Sequence, residues 1–175
     1  AYSGPDLSGQ KVTISGPWLA PEDGYMREIA SIFEKATGAT VEYGGSDSFE
    51  QQIVIDIKAG SPADIAIFPQ PGLAANMAAI GGLKPLSSDV KQAVMDNYAA
   101  GQSWVDLATY PDENGNDQFY AIFYKVNVKS LVWYSPDNFS DNGYEVPDSM
   151  EELIALTRQM ASDGNTPWCI GLGSG

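Results

Sequence analysis

Hydrophobic and polar positions follow two different periods along the first sixty residues, which predicts strands that alternate with helices. Residues 11–15, KVTIS, alternate and are rich in β-branched side chains, and residues 40–43 repeat the pattern. The apolar residues between these strands recur at spacings of three and four, which predicts a helix that begins near residues 21–23 and ends at Gly38. Its predicted core-facing residues are Met26, Ile29, Ile32, Phe33 and Ala36.

A second helix and a third strand follow. Asp47 and Glu50 have the spacing of a capping box, in which two side chains bond to free amides of a helix's first turn. Residues 65–68, IAIF, form a short unbroken apolar run, which is typical of a strand buried on both faces. Strands and helices in this order predict an α/β fold with a mainly parallel, three-layer sheet.

Each of these strands is followed by polar or aromatic residues, and all three loops are expected to open at the same edge of the sheet. In open α/β sheets ligands bind at the carboxyl ends of the strands, so these loop residues are candidate binding groups. They are Trp18, Glu22, Ser46, Asp47 and Gln70, the last held between Pro69 and Pro71. Each also has a structural interpretation: Trp18 as a core aromatic, Glu22 and Asp47 as helix-start carboxylates, Ser46 as a cap, and Gln70 as part of a rigid turn.

The second half of the chain has a different pattern of residues. Residues 103–134 carry eight aromatic side chains among polar and β-branched ones, which predicts two or three strands with Asn114-Gly115 at a hairpin tip. Lys125 follows Tyr124 among apolar residues, so it is either an exposed strand residue or a donor that faces a polar ligand.

Two further elements are predicted near the end of the chain. Asp148 and Glu151 have capping-box spacing before a helix over residues 150–160. Residues 166–172 are apolar enough to predict a buried strand, and Cys169 within them is expected to be a buried thiol. A single strand-helix-strand unit cannot bury both faces of its sheet, so another segment or another chain is expected to cover it.

Composition narrows the possible functions. With 9 basic and 23 acidic residues the net charge is −14, which disfavours nucleic acid and anionic membranes as partners. There is no histidine, which excludes Ser-His-Asp catalysis and most zinc sites, and the single cysteine excludes an intrachain disulfide. The acidic segment PDENGND lacks the ligand spacing of a calcium loop. No metal, cofactor or catalytic residue is therefore expected.

Several segments together resemble one known family. They include VTISGPW, SPADIAIFPQPGLAANMAAIGGLKPL, FYKVNVKSLVWYSPDNF and VPDSMEELIALTRQM, which occur in the family's order. The chain resembles the periplasmic sugar-binding proteins of ABC transporters, the extracellular solute-binding family that includes maltose-binding protein. FPQPG, YKVNVKSLVWY and PWCIGLGSG look most like its α-glucoside-binding branch.

The resemblance implies a type II periplasmic-binding-protein fold, with residues 1–124 as most of the first lobe and 125–175 as the crossover and the beginning of the second. It implies that a small neutral sugar, such as maltose, trehalose or sucrose, binds in the interlobe cleft for delivery to ABC permease subunits. Trp18 and Glu22 would line the first-lobe wall. Ser46, Asp47 and Gln70 would hydrogen-bond sugar hydroxyls, and Tyr124 and Lys125 would face the cleft.

Family members usually exceed twice this length, so the chain is expected to be an N-terminal fragment, completed by a companion fragment or a domain-swapped copy. It begins AYSGPDLSG without an initiator Met, which suggests an exported periplasmic protein whose signal peptide has been removed. Two alternatives stay open. Glu22 and Asp47 could serve a glycoside hydrolase as paired carboxylates, or the chain could be an interaction module completed by another chain.

Overall fold

The chain divides into two units, Ala1–Lys125 and Val126–Gly175. The computed structural model describes residues 2–126 and 131–171 of them. No helix in these ranges combines the length and the hydropathy that a membrane crossing needs. The same ranges hold no group of three or more acidic or cysteine side chains placed to bind a metal ion.

A parallel sheet of three strands organises the first unit. The central strand β1 (Lys11–Gly16) pairs with β2 (Thr40–Gly45) on one side and β3 (Ile65–Ala66) on the other. The predicted α/β fold with a mainly parallel sheet is therefore confirmed. The third strand is shorter than predicted, and Ile65 is 49% exposed rather than buried on both faces.

A side chain compensates for the shortness of β3. Asp64 accepts hydrogen bonds from the Thr13 amide at 2.8 Å and from the Thr13 hydroxyl at 2.7 Å, while the Asp64 amide donates to that hydroxyl at 3.0 Å. These donors, the backbone amide first, hold the pKa of Asp64 below its usual value. Asp64 thus joins the chain to β1 at Thr13, one residue before the backbone pairing of β3 with β1 begins at Ile14 and Ile65.

Two helices connect the strands: α1 (Asp23–Thr37) and α2 (Phe49–Lys58). The predicted core of α1 is wrong, because Ile29, Ile32 and Phe33 are 46%, 66% and 41% exposed, Ala36 is exposed and Met26 is only partly buried. Ala30 and Thr37 are the buried residues of the helix. Periodicity identifies residues that share a face of a helix, but only tertiary packing decides which face is covered.

The predicted capping box of α2 is also wrong. The helix begins at Phe49, two residues after Asp47, and its first turn has no side-chain cap. Ser46 Oγ instead accepts from the Ser48 amide at 3.1 Å, and Asp47 accepts from the Ser48 hydroxyl at 3.2 Å. These local bonds form a turn that delays the helix, because serine and aspartate side chains compete with helical bonds for the backbone.

The rest of the first unit packs three helices around a hairpin. These elements are α3 (Pro71–Ala79), α4 (Ser88–Asn97), α5 (Gly101–Leu107), β4 (Thr109–Pro111) and β5 (Asp117–Phe119). One core cluster joins α3 to Tyr110 and Tyr120, and another joins α4 and α5 to Phe119. The hairpin therefore contributes side chains to both clusters.

The predicted hairpin tip is confirmed, since Gly115 has φ 82° in the turn between β4 and β5. Asp112 closes the turn by accepting from the amides of Asn114 and Asn116 at 2.8 and 2.9 Å. The strand expected from residue 103 is wrong, because residues 101–107 are helical. Trp104 there packs on Tyr98 and Phe123, and this tertiary packing overrides its strand propensity.

The described part of the second unit contains two helices, α6 (Pro136–Asn142) and α7 (Met150–Ser162). Ser149, not Asp148, caps α7 by accepting from the Glu152 amide, and Glu152 accepts from the Asp148 amide at 2.7 Å. The predicted capping box is therefore displaced by one residue.

The predicted strand over residues 166–172 is absent from its described part, residues 166–171, and Leu172 lies outside the described residues. Cys169 is exposed, contrary to expectation, and Ile170 is 70% exposed. A strand needs a neighbour to bond to, and no strand lies within residues 131–171.

Candidate functional site

The carboxyl ends of the parallel strands meet at one edge of the first unit. Gly16 and Gly45 are paired as the last residues of β1 and β2, and the Ser46 amide donates to the Gly16 carbonyl at 3.0 Å. On the other side, the Ile67 amide donates to the Ser15 carbonyl at 2.8 Å. The loops that carry the candidate residues therefore leave the sheet from the same edge.

Trp18 is held above this edge by Tyr43, the buried tyrosine of β2. The Trp18 amide donates to Tyr43 Oη at 2.9 Å, and the Tyr43 hydroxyl donates to the Trp18 carbonyl at 3.1 Å. The two rings are also stacked, with centroids 6.4 Å apart and planes 26° from parallel. Burial of the hydroxyl raises the pKa of Tyr43, so the group stays protonated and able to donate.

Three of the predicted site residues are in direct contact. The ring of Tyr124 lies 5.4 Å from that of Trp18, centroid to centroid, and Lys125 Nζ lies 6.0 Å from the Trp18 centroid. The ammonium group is within the range of a cation–π interaction. A half-buried indole, two phenols and a cation thus form one group, which we call the Trp18 cluster: Trp18, Tyr43, Tyr124 and Lys125.

The other predicted residues lie around the same edge without joining the Trp18 cluster in the described contacts. Ser46 and Asp47 occupy the turn after β2, and their bonds to Ser48 leave the exposed Asp47 carboxylate with further acceptor capacity. Gln70 has extended backbone angles, φ −132° and ψ 131°, immediately before Pro71 begins α3, and its side chain does not cap that helix. Glu22 is exposed before α1 and does not cap it either.

This arrangement offers the chemistry that a neutral polyhydroxylated ligand requires. Carboxylate and amide oxygens accept hydrogen bonds from hydroxyls, the ammonium and amide nitrogens donate, and aromatic rings provide an apolar surface. The net charge of −14 disfavours an anionic ligand at the same place.

The second unit contains an open apolar hollow of about 400 Å³. Its lining is almost entirely apolar, and Thr157 and Arg158 are its polar members. The lining residues are Val132, Met150, Leu153, Ile154, Thr157, Arg158 and Trp168. It lacks the convergent polar groups that would orient a polar ligand, so the edge of the sheet is the better candidate site.

Comparison with known proteins identifies the family. The profile of the bacterial extracellular solute-binding proteins matches residues 16–175. The chain belongs to this family. It is 57% identical over 172 residues to the alpha-glucosides-binding periplasmic protein AglE of Rhizobium meliloti (strain 1021), a match that covers 98% of this chain and 38% of the relative.

A second relative is the osmoprotective compounds-binding protein GgtB of Synechocystis sp. (strain ATCC 27184 / PCC 6803 / Kazusa). It is 38% identical over 176 residues, which cover 98% of this chain and 40% of that protein. The chain therefore spans about two fifths of the length of both relatives.

A solved structure supports the fold assignment. It comes from work on xylan utilization by the thermophilic bacterium Caldanaerobius polysaccharolyticus. It superposes with a TM-score of 0.57 at 19% identity, covering 88% of this chain and 38% of that one. At this identity the likeness concerns the fold alone, and it agrees with part of a lobe of a type II periplasmic-binding-protein fold.

The sequence analysis missed Tyr43, Gly16 and Gly45 as parts of the site. The motif SGPW places a glycine at the end of β1 shortly before Trp18, and YGG ends β2 with an inward tyrosine and a glycine. Two adjacent strands that end in glycine are a signal for close backbone approach. The signal becomes specific only when the register pairs Gly16 with Gly45.

Proposed function

We propose that this protein binds a small neutral α-glucoside in the periplasm and presents it to the permease subunits of an ABC importer. The observation that carries the proposal is the 57% identity, over nearly the whole chain, to a protein named for binding alpha-glucosides. The family match supports the coarser statement that the chain is part of a solute receptor. The proposed role is binding and delivery without covalent chemistry.

We propose that residues 1–124 form most of the first lobe and that 125–175 begin the second. Within the first, Trp18 would pack against the apolar face of a glucose ring. Ser46, Asp47 and Gln70 would hydrogen-bond its hydroxyls, with Glu22 on the rim. Tyr124 and Lys125 would act from beside the indole, with the Tyr124 centroid 5.4 Å and Lys125 Nζ 6.0 Å from the Trp18 ring centroid.

A fluorescence titration tests the proposal. The protein is titrated with maltose, trehalose and sucrose while tryptophan emission is recorded, with Trp18→Phe as the matched variant. A saturable change with one of these sugars, reduced or lost in Trp18→Phe, is expected because a ligand near the indole alters its surroundings. No saturable change from the folded protein with any of the sugars would refute the proposal.

The relative named for osmoprotective compounds supports a second candidate ligand class. Glycine betaine, an osmoprotectant without sugar hydroxyls, discriminates between the two. Binding of glycine betaine in preference to all three disaccharides would favour osmoprotectant uptake. Release of glucose from a chromogenic α-glucoside would indicate hydrolysis instead, and none is expected.

A further inference from the structure

We propose that Tyr43 is a positioning residue for ligand binding, which fixes Trp18 at the carboxyl edge of the sheet; the inference rests on the proposed glucoside binding. Tyr43 belongs to β2, and Trp18 belongs to the loop after β1. The two are 25 positions apart in the sequence, and the strand register brings them together.

The two hydrogen bonds between these residues share one group of Tyr43. A single hydroxyl group accepts from the amide of Trp18 and donates to the carbonyl of the same residue, at 2.9 and 3.1 Å. It therefore binds the peptide groups on both sides of the Trp18 Cα. Because these two groups determine the orientation of the residue, Tyr43 limits the directions in which the indole can project.

The absence of two side chains makes room for this arrangement. A Cβ on Gly45 would lie 1.9 Å from the Trp18 carbonyl oxygen, and a Cβ on Gly16 would lie 2.9 Å from the Tyr43 hydroxyl. Both distances are shorter than ordinary contacts, so alanine at either position would displace an atom of the paired groups. Gly16, Tyr43 and Gly45 thus form a seat for Trp18, at the end of two paired strands.

The seat supports a residue that is itself half-buried and at the proposed site. The indole ring contacts Tyr124 and Lys125, and its loop leaves the same edge as Ser46. A binding group in a loop loses conformational freedom when a ligand binds, and a support that orders it beforehand reduces this entropic cost. Loss of the seat should therefore reduce affinity even when the fold is retained.

Tyr43→Phe tests the proposal, because it removes the hydroxyl and keeps the ring. Tyr110→Phe is the matched control: Tyr110 is a similarly buried tyrosine of the first unit, and it lies in the core cluster that includes α3. Affinity for maltose, trehalose and sucrose is measured by calorimetry on the protein and both variants. Thermal unfolding and hydrogen exchange at the Trp18 amide are measured on the same samples.

We expect Tyr43→Phe to weaken binding of the preferred sugar about tenfold, as expected for loss of two modest hydrogen bonds that order a binding group. The Trp18 amide should exchange faster, because it loses its acceptor, while the Ser46 amide stays protected. Tyr110→Phe should leave both properties unchanged. Gly45→Ala, compared with Gly44→Ala, repeats the test if the phenylalanine variant fails to fold.

The outcomes separate this inference from the proposed function. Sugar binding that Tyr43→Phe leaves unaltered would overturn the positioning role and leave the proposed function intact. An equal loss of affinity in Tyr110→Phe would also overturn it, since the effect would then be a general one on stability. If the unaltered protein binds none of the sugars, the proposed function fails, and the positioning role fails with it.

Discussion

Gly45→Ala is the substitution whose effect the structure specifies most closely. The new Cβ would lie 1.9 Å from the Trp18 carbonyl oxygen, whereas ordinary contacts begin at 3.4 Å. The Trp18 carbonyl oxygen and the new methyl group must therefore move apart by roughly 1.5 Å, and the carbonyl belongs to the backbone, which cannot simply rotate away as a side chain can. A movement of this size also breaks the 3.1 Å hydrogen bond from Tyr43.

The expected loss in the free energy of unfolding is about 2 kcal/mol, the middle of the range for overpacking at a tight site. For a chain of this size it corresponds to a decrease of about 6 °C in the melting temperature. Gly44→Ala is the control, because a Cβ on the neighbouring residue meets no atom within 4 Å. That variant should be neutral or slightly more stable, since alanine restricts the unfolded chain.

Differential scanning calorimetry of the two variants and the unaltered protein tests the predicted difference in melting temperature. Circular dichroism confirms that each variant retains its helices and strands. Equal melting temperatures for Gly45→Ala and Gly44→Ala would refute the close approach of Trp18 to the end of β2, and with it the reasoning about the seat.

Three further predictions concern stability. Hydrogen bonds, the one from the Thr13 backbone amide first, lower the pKa of Asp64, so the stabilisation that its carboxylate gives the fold is present above about pH 4 and is lost as pH falls through the folded pKa. Urea unfolding of Asp64→Asn should therefore show a weaker loss of stability with acid, and an unchanged acid dependence would contradict this. Val105 is 1% exposed, so Val105→Ala should reduce the free energy of unfolding, measured in urea titrations, by about 2 kcal/mol, whereas Val126→Ala, at a residue 68% exposed, should change it little. Similar losses of stability in the two variants would disprove the assignment of Val105 to the core. Ser149 caps α7, whereas Ser48 precedes α2 without capping it. Ser149→Ala should therefore reduce the free energy of unfolding by about 1 kcal/mol and Ser48→Ala by less, as measured by circular dichroism during urea unfolding, and the reverse order would contradict the cap assignment.

The fold class could be predicted because its signals are local. Alternating residues in 11–15 and spaced apolar residues in 26–36 identify a strand and a helix whatever surrounds them. The order of these elements then restricts the sheet to parallel pairing, which the register of β1 with β2 and β3 confirms. The hairpin tip at Asn114-Gly115 was predictable for the same reason, because turn residues act within a few positions.

The candidate site was predictable only in part. The end of each strand could be located, so Trp18, Ser46 and Gln70 could be assigned to one edge. The contact of Trp18 with Tyr124 depends on how the first unit folds back on itself, and no local pattern contains it. Sequence analysis therefore found the residues of the edge but not the support of Trp18 by Tyr43.

By itself the sequence determined the order of strands and helices as far as β3, the mainly parallel sheet and, through its motifs, the family. Tertiary structure alone decided that Ile32 is exposed while Ala30 is buried, that Cys169 is accessible, and that Tyr43 binds both peptide groups of Trp18. The physical reason is range: propensity and periodicity act over a few residues, whereas burial and long-range hydrogen bonds depend on which distant segments meet.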